Sequence, residues 1–111
     1  MTKLPWEVWY ATVVFEDKDE SKDRPVVILE DDGRRCRALG ITSKAGKWGD
    51  AHRYALIYWE YAGLDRKSWV KLGDDLILEP KDFVRKLKRL HPVDEVNLNA
   101  RLLEYRSSRL W

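Results

Sequence analysis

The chain has 111 residues, with 21 Lys plus Arg against 19 Asp plus Glu (net +2), one Cys and 44% hydrophobic residues. That length suits one domain spanning 1–111, a lone Cys36 closes no internal disulfide, and no apolar run approaches the roughly 20 residues of a membrane-crossing helix. With no apolar signal core in Met1-Thr2-Lys3-Leu4-Pro5-Trp6-Glu7, the expectation is a soluble cytoplasmic protein rather than a stapled secreted one.

The small net charge is unevenly spread. Residues 1–32 hold four basic and nine acidic side chains (−5), and residues 33–53 hold six basic and one acidic (+5). Residues 54–80 sum to −2, and 81–111, with eight basic and four acidic, to +4. So low a total argues against tight non-specific duplex binding, while the two basic segments either attract phosphates or form solvated faces.

In chain order, Trp6 to Phe15 is β-branched and aromatic, long for a strand, and predicts a strand with a bend or bulge. Glu16 to Asp23, wholly polar, predicts an exposed loop. Arg24-Pro25 then opens Val26-Val27-Ile28-Leu29, an unbroken apolar run that suits a strand buried on both faces. Asp32-Gly33 is a hairpin signal leading into a return strand from Arg35 to Thr42. Ser43 to Asp50 reads as a basic loop, and Tyr54 to Trp59 as another strand. Ala62 to Asp65 breaks the pattern, Ser68 to Leu72 resumes it, and Asp74-Asp75 predicts a turn before Leu76-Ile77-Leu78.

Beyond Glu79-Pro80 the period changes. Phe83, Val84, Leu87 and Leu90 recur at helical spacing, opposite Arg85, Lys86, Lys88 and Arg89, and predict an amphipathic helix stopped by Pro92. Asp94 is placed to cap a final helix carrying Val96, Leu98, Leu102, Leu103 and Tyr105. Five or six short strands followed by one or two helices make an α+β domain whose sheet curls into a small barrel.

Most standard catalytic motifs are absent. The sequence has no Gly-rich phosphate loop, no Cys-x-x-Cys and no His-Glu-x-x-His, and its histidines are His52 and His91. No metal or cofactor is therefore expected. Cys36 reads as inert core, and His91, beside Pro92 at a helix end, as structural.

Three elements in order carry a resemblance. They are Lys22-Asp23-Arg24-Pro25-Val26-Val27-Ile28-Leu29, the strand end Ile41-Thr42-Ser43, and Ala62-Gly63-Leu64 followed by Ser68-Trp69-Val70. Across residues 6–105 the chain resembles the MazF/PemK-like toxins of type II toxin–antitoxin systems. The resemblance implies a small SH3-like β-barrel of five to seven strands with one or two C-terminal helices, usually a homodimer. It also implies metal-independent cleavage of single-stranded RNA, inhibited by a cognate antitoxin. The family's catalytic arginine falls on Arg24, and its catalytic threonine on Thr42 with Ser43 beside it.

Those residue types fit the chemistry. In metal-free cleavage the ribose 2′-hydroxyl attacks its own phosphate, leaving a 2′,3′-cyclic phosphate and a 5′-hydroxyl. A guanidinium offers permanent charge and a planar fork matched to phosphate oxygens. A hydroxyl can donate to a non-bridging oxygen. In the basic loop, Lys44 and Lys47 could hold phosphates, and Trp48 could stack on a base or fold back onto the barrel. Lys22 and His52 complete the candidate RNA-binding set. His52 is the residue near this region whose ordinary pKa suits proton transfer, though a packed surface histidine is the plainer reading. Two other readings stay open, a barrel that binds a protein partner without catalysis and an adaptor that binds nucleic acid without cutting it.

Overall fold

The computed structural model describes residues 2–15, 20–45 and 52–108. The strands are β1 (Glu7–Phe15), β2 (Glu20–Asp31), β3 (Cys36–Thr42), β4 (Arg53–Ala55), β5 (Trp69–Leu78) and β6 (Phe83–Arg89), followed by one helix, α1 (Pro92–Ser108). They form one six-stranded antiparallel sheet in the order β4-β5-β3-β2-β1-β6.

β2 shows why the apolar run from Val26 to Ile28 is unbroken. Successive side chains alternate between faces, and both faces are covered. Val26 and Ile28 join Ala11, Cys36, Ala38 and Leu78 in one core. Val27 enters the other, with Val8, Leu39, Ile41, Val70 and Leu72, which Leu98 and Leu102 of α1 close. Each such fully buried aliphatic side chain contributes about 1.5–3 kcal/mol from burial alone.

The sheet curls until chain flanking its two edges meets. Tyr58, just past β4, stacks on His91, just past β6, with ring centroids 3.8 Å apart. Gly63 lies so close to β6 that a Cβ there would sit 3.3 Å from the Cβ of Leu87. Its φ of +89° also belongs to the left-handed region that glycine adopts freely. This is the α+β barrel with one or two C-terminal helices that the sequence predicts, and the helix is α1.

The hairpin at Asp32-Gly33 forms as expected. The Asp32 N–H donates to the Arg35 carbonyl, its side chain accepts the N–H groups of Arg34 and Arg35, and Gly33 supplies φ +92°. The bulge expected in the first strand is also present, as two register shifts against β6.

Several boundaries differ. The segment 83–90, expected as a helix, is strand β6 as far as Arg89, because β1 offers it a free edge to pair with, from Glu7↔Arg89 to Ala11↔Phe83. Phe83 and Leu87 fit a period of two as well as one of four, so the spacing was ambiguous. Pro92 begins α1 rather than ending a helix, where its missing N–H costs nothing. His91 therefore stands at a helix N-terminus, and its Nδ1 accepts the Val93 N–H at 3.1 Å. Residues 20–23, expected in a loop, extend β2 before Pro25. The rest of that acidic loop, 16–19, lies outside the described residues. The strand expected at Tyr54–Trp59 ends at Ala55, because Ile57 and Tyr58 donate their N–H groups to Asp94 instead of to a neighbouring strand. Asp74-Asp75 is not a turn. β5 runs through it, and a register shift between Leu39↔Asp75 and Ile41↔Val70 absorbs the extra residues. Among the described residues no helix is long and apolar enough to cross a membrane.

Candidate functional site

The β2–β3 ladder ends at Val26↔Gly40, so Arg24 and Thr42 each lie two residues past its last pair, at the same end of the barrel. A cavity of about 230 Å³ opens there. Asp23, Arg24 and Pro25 of β2 form one wall, with Tyr10 of β1 beside them. Ile41 and Ser43 come from the end of β3, and Leu64, Asp65, Arg66 and Ser68 from the segment before β5.

Local bonds fix these walls. Thr12 donates its hydroxyl to Asp23 at 2.7 Å, matching their pairing in the β1–β2 ladder. Ser68, nearly buried, donates to the Arg66 carbonyl at 2.9 Å and so pins the backbone that carries Arg66. Arg66 Nε lies 3.4 Å from Asp65 Oδ1, with both side chains largely exposed. The cavity thus gathers two guanidinium groups, two carboxylates and two serine hydroxyls. Such a set can bind a phosphate, hydrogen-bond its oxygens and accept a proton.

Of the residues predicted from sequence, Arg24 and Ser43 border this cavity together. Thr42 is buried beside it, and its hydroxyl accepts the Lys44 N–H at 3.2 Å in a tight local turn. Lys44 is exposed, and its carbonyl accepts Arg53 Nη1 at 2.7 Å. Lys22 is exposed on β2, opposite Val13. His52 does not line the cavity. Its Nδ1 sits 3.0 Å from the Tyr105 hydroxyl, with the two rings edge to face, which ties it to α1. Lys47 and Trp48 lie outside the described residues.

Tyr10, Asp65 and Arg66 were not singled out by sequence reasoning. Asp65-Arg66 falls inside the Ala62–Val70 stretch that carries the resemblance, which was the available signal. Among the described residues no group of three or more His, Cys, Asp or Glu side chains is arranged to hold a metal ion.

A larger depression of about 400 Å³ lies at the other end of β2, around Glu30, Asp31, Asp32, Arg35, Arg37 and Ile77. Its aspartates serve the fold. Asp31 accepts the N–H groups of Lys3 and Gly33, and Asp32 holds the hairpin. Hydrogen bonds from Arg35 and then Arg34 keep the Asp32 carboxyl below its usual range.

No model of a known protein family matches the sequence, and no curated protein matches it either. Among solved structures, the Mycobacterium tuberculosis toxin MazF-mt6 superposes with a TM-score of 0.69 at 21% identity, over 86% of this chain and 91% of that one. The chain has the fold of the MazF-like toxins.

Proposed function

We propose that this protein is the toxin of a type II toxin–antitoxin system and acts as a metal-independent endoribonuclease on single-stranded RNA. The observation that carries this reading is the meeting of Arg24 and Ser43 with Arg66 around one cavity, in a barrel shared with MazF-mt6. Arg24 binds the scissile phosphate and stabilises the charge that builds on it. The hydroxyls of Thr42 and Ser43 donate to its oxygens. The substrate's 2′-oxygen forms a bond to phosphorus, the bond to the 5′-oxygen breaks, and a 2′,3′-cyclic phosphate and a 5′-hydroxyl result. The 2′-proton passes to a carboxylate of the cavity, Asp23 or Asp65, and the carboxylic acid so formed gives that proton up, directly or through water, to the departing 5′-oxygen. The exposed Lys22 and Lys44, with Lys47 and Trp48 of the basic loop, guide the strand. His52 stands apart from this chemistry, facing α1. The protein works in the cytoplasm as a homodimer, and a cognate antitoxin covers the RNA groove.

The test is cleavage of single-stranded RNA in EDTA by the wild type, Arg24→Ala and Thr42→Ala. Loss of one transition-state donor lowers the rate by about 10²–10³. Cyclic-phosphate products that fall by that much in both folded variants support the reading. A folded wild type that cuts no single-stranded RNA overturns it.

A second reading, a barrel that binds a protein partner, is favoured by one observation. Val93, Val96 and Leu103 form an exposed apolar stripe on α1, opposite the buried Leu98 and Leu102. It takes the lead if cleavage is absent.

A further inference from the structure

Tyr10, in the wall of the Arg24 cavity, is paired across the β1–β6 ladder with Arg85. The Arg85 guanidinium carbon lies 4.8 Å from the centre of the Tyr10 ring. Two other cations of β6 are engaged otherwise. Lys86 is 2.8 Å from Glu7, and Arg89 is 2.7 Å from Glu95. Those carboxylates neutralise both cations. Arg85 is exposed, and among the described residues no carboxylate pairs with it. A guanidinium laid over a ring uses its face for that contact and keeps its in-plane N–H edges for a bidentate acceptor. The ring also holds the long side chain in place, so less freedom is lost on binding.

We propose that Arg85, laid over Tyr10, is a second phosphate anchor of the RNA site. It holds the nucleotide next to the scissile one, so that the strand runs from the Arg24 cavity across Tyr10 onto β6. This inference rests on the ribonuclease reading and adds to it a direction for the substrate and a role for β6. Phosphate anchoring is indifferent to base identity, so Arg85 sets affinity for the strand and leaves the choice of cut sequence to other residues. It does not touch the scissile phosphate, so its loss acts on KM and spares kcat.

The experiment uses a short 2′-O-methylated single-stranded RNA of mixed sequence, which lacks the attacking hydroxyl and cannot be cut. Binding is followed by fluorescence anisotropy over a range of salt for the wild type, Arg85→Ala, Arg85→Met and Lys81→Ala. Circular dichroism confirms that each is folded. Met keeps an apolar stem over the ring and removes the charge. Lys81, exposed in the turn before β6 and 3.6 Å from Glu79, controls for the loss of a cation that a carboxylate already balances. We expect both Arg85 variants to bind about tenfold more weakly, as for a lost hydrogen bond to a charged group. The dependence of log K on log salt should become shallower by about 0.7, the value for one phosphate contact on a single strand. Lys81→Ala should stay within about twofold of the wild type. On cleavable RNA, KM should rise for the Arg85 variants while kcat holds. If the wild type binds and the Arg85 variants match Lys81→Ala, the anchor is overturned and the ribonuclease reading stands. If the folded wild type does not bind at low salt, both fall together.

Discussion

The Tyr54 hydroxyl on β4 donates to the carboxylate of Asp94, in the first turn of α1, at 2.6 Å. The same carboxylate accepts the N–H groups of Ile57 at 3.0 Å and Tyr58 at 2.8 Å, and Asp94 is fully buried. One side chain therefore ends β4, turns the chain toward the cavity wall and locks the helix against the barrel. Asp94→Ala leaves three donors without their acceptor and should destabilise the protein by about 3 kcal/mol or more. Tyr54→Phe removes one bond to the carboxylate and keeps the other two, so a smaller loss of about 1.5 kcal/mol is expected. Urea unfolding of the two variants checks the order. A Tyr54→Phe loss as large as that of Asp94→Ala would contradict this account.

Alkaline pH should destabilise the protein through two buried acids. Burial, and next the Asp94 hydrogen bond, push Tyr54 from an ordinary 10.0 to about 12. Burial, and next the nearby Asp31 charge, push the Cys36 thiol from 9.0 to about 11. Both folded pKa values exceed the unfolded ones, so the folded state binds these protons more tightly. Their stabilising contribution is complete below the unfolded pKa and is lost as pH rises through the folded one. Stability should thus decline from about pH 9 to about pH 12, in thermal melts taken along that range. Tyr54→Phe should flatten the upper part of that decline, and a variant that follows the wild-type curve throughout would count against it.

Much of this architecture was legible in the sequence because it rests on local rules. The double-sided burial of Val26 to Ile28 and the Asp32-Gly33 turn follow from residue type alone. What was not legible depends on distant partners. The 83–90 segment has a pattern compatible with helix or strand, and the free edge of β1 decides between them. Tyr54 to Trp59 has strand composition throughout, yet Asp94, far along the chain, takes its backbone donors. The cavity divides the same way. Arg24 and Ser43, named from their motif, border it, and Asp65-Arg66 lies in a stretch the motif also covers, whereas Tyr10 becomes a wall residue only when the sheet curls.

Gly73 should resist substitution for a reason visible only in three dimensions. A Cβ at this position would lie 2.3 Å from the Tyr105 hydroxyl, which is itself 3.0 Å from His52 Nδ1. Gly73→Ala must push the Tyr105 ring away and break its contact with His52. Nuclear magnetic resonance of the His52 ring should report the change, with stability lowered by about 1 kcal/mol, the low end for overpacking, because the new methyl meets only the outer end of the Tyr105 ring. A second variant, Tyr105→Phe, removes the hydroxyl that the new methyl would meet. Gly73→Ala should therefore cost less in the Tyr105→Phe background than in the wild type, and equal costs would show that the clash is not the cause.

The charges of the cavity predict opposite effects for two adjacent substitutions. Arg24 and Arg66 face Asp23 and Asp65 there, so the site is balanced before an anionic strand arrives. Arg66→Ala removes a cation and should weaken binding of uncleavable single-stranded RNA by up to about tenfold. Asp65→Asn removes the carboxylate 3.4 Å from Arg66 and frees that guanidinium for phosphate, so binding should tighten. Both side chains are largely exposed, so the gain should be modest and should shrink as salt is added. Cleavage by Asp65→Asn separates the two candidate proton acceptors. Tighter binding with a much lower kcat would assign the 2′-proton to Asp65, and tighter binding with kcat retained would leave that role to Asp23. Weaker binding by Asp65→Asn would contradict the electrostatic balance from which both expectations follow.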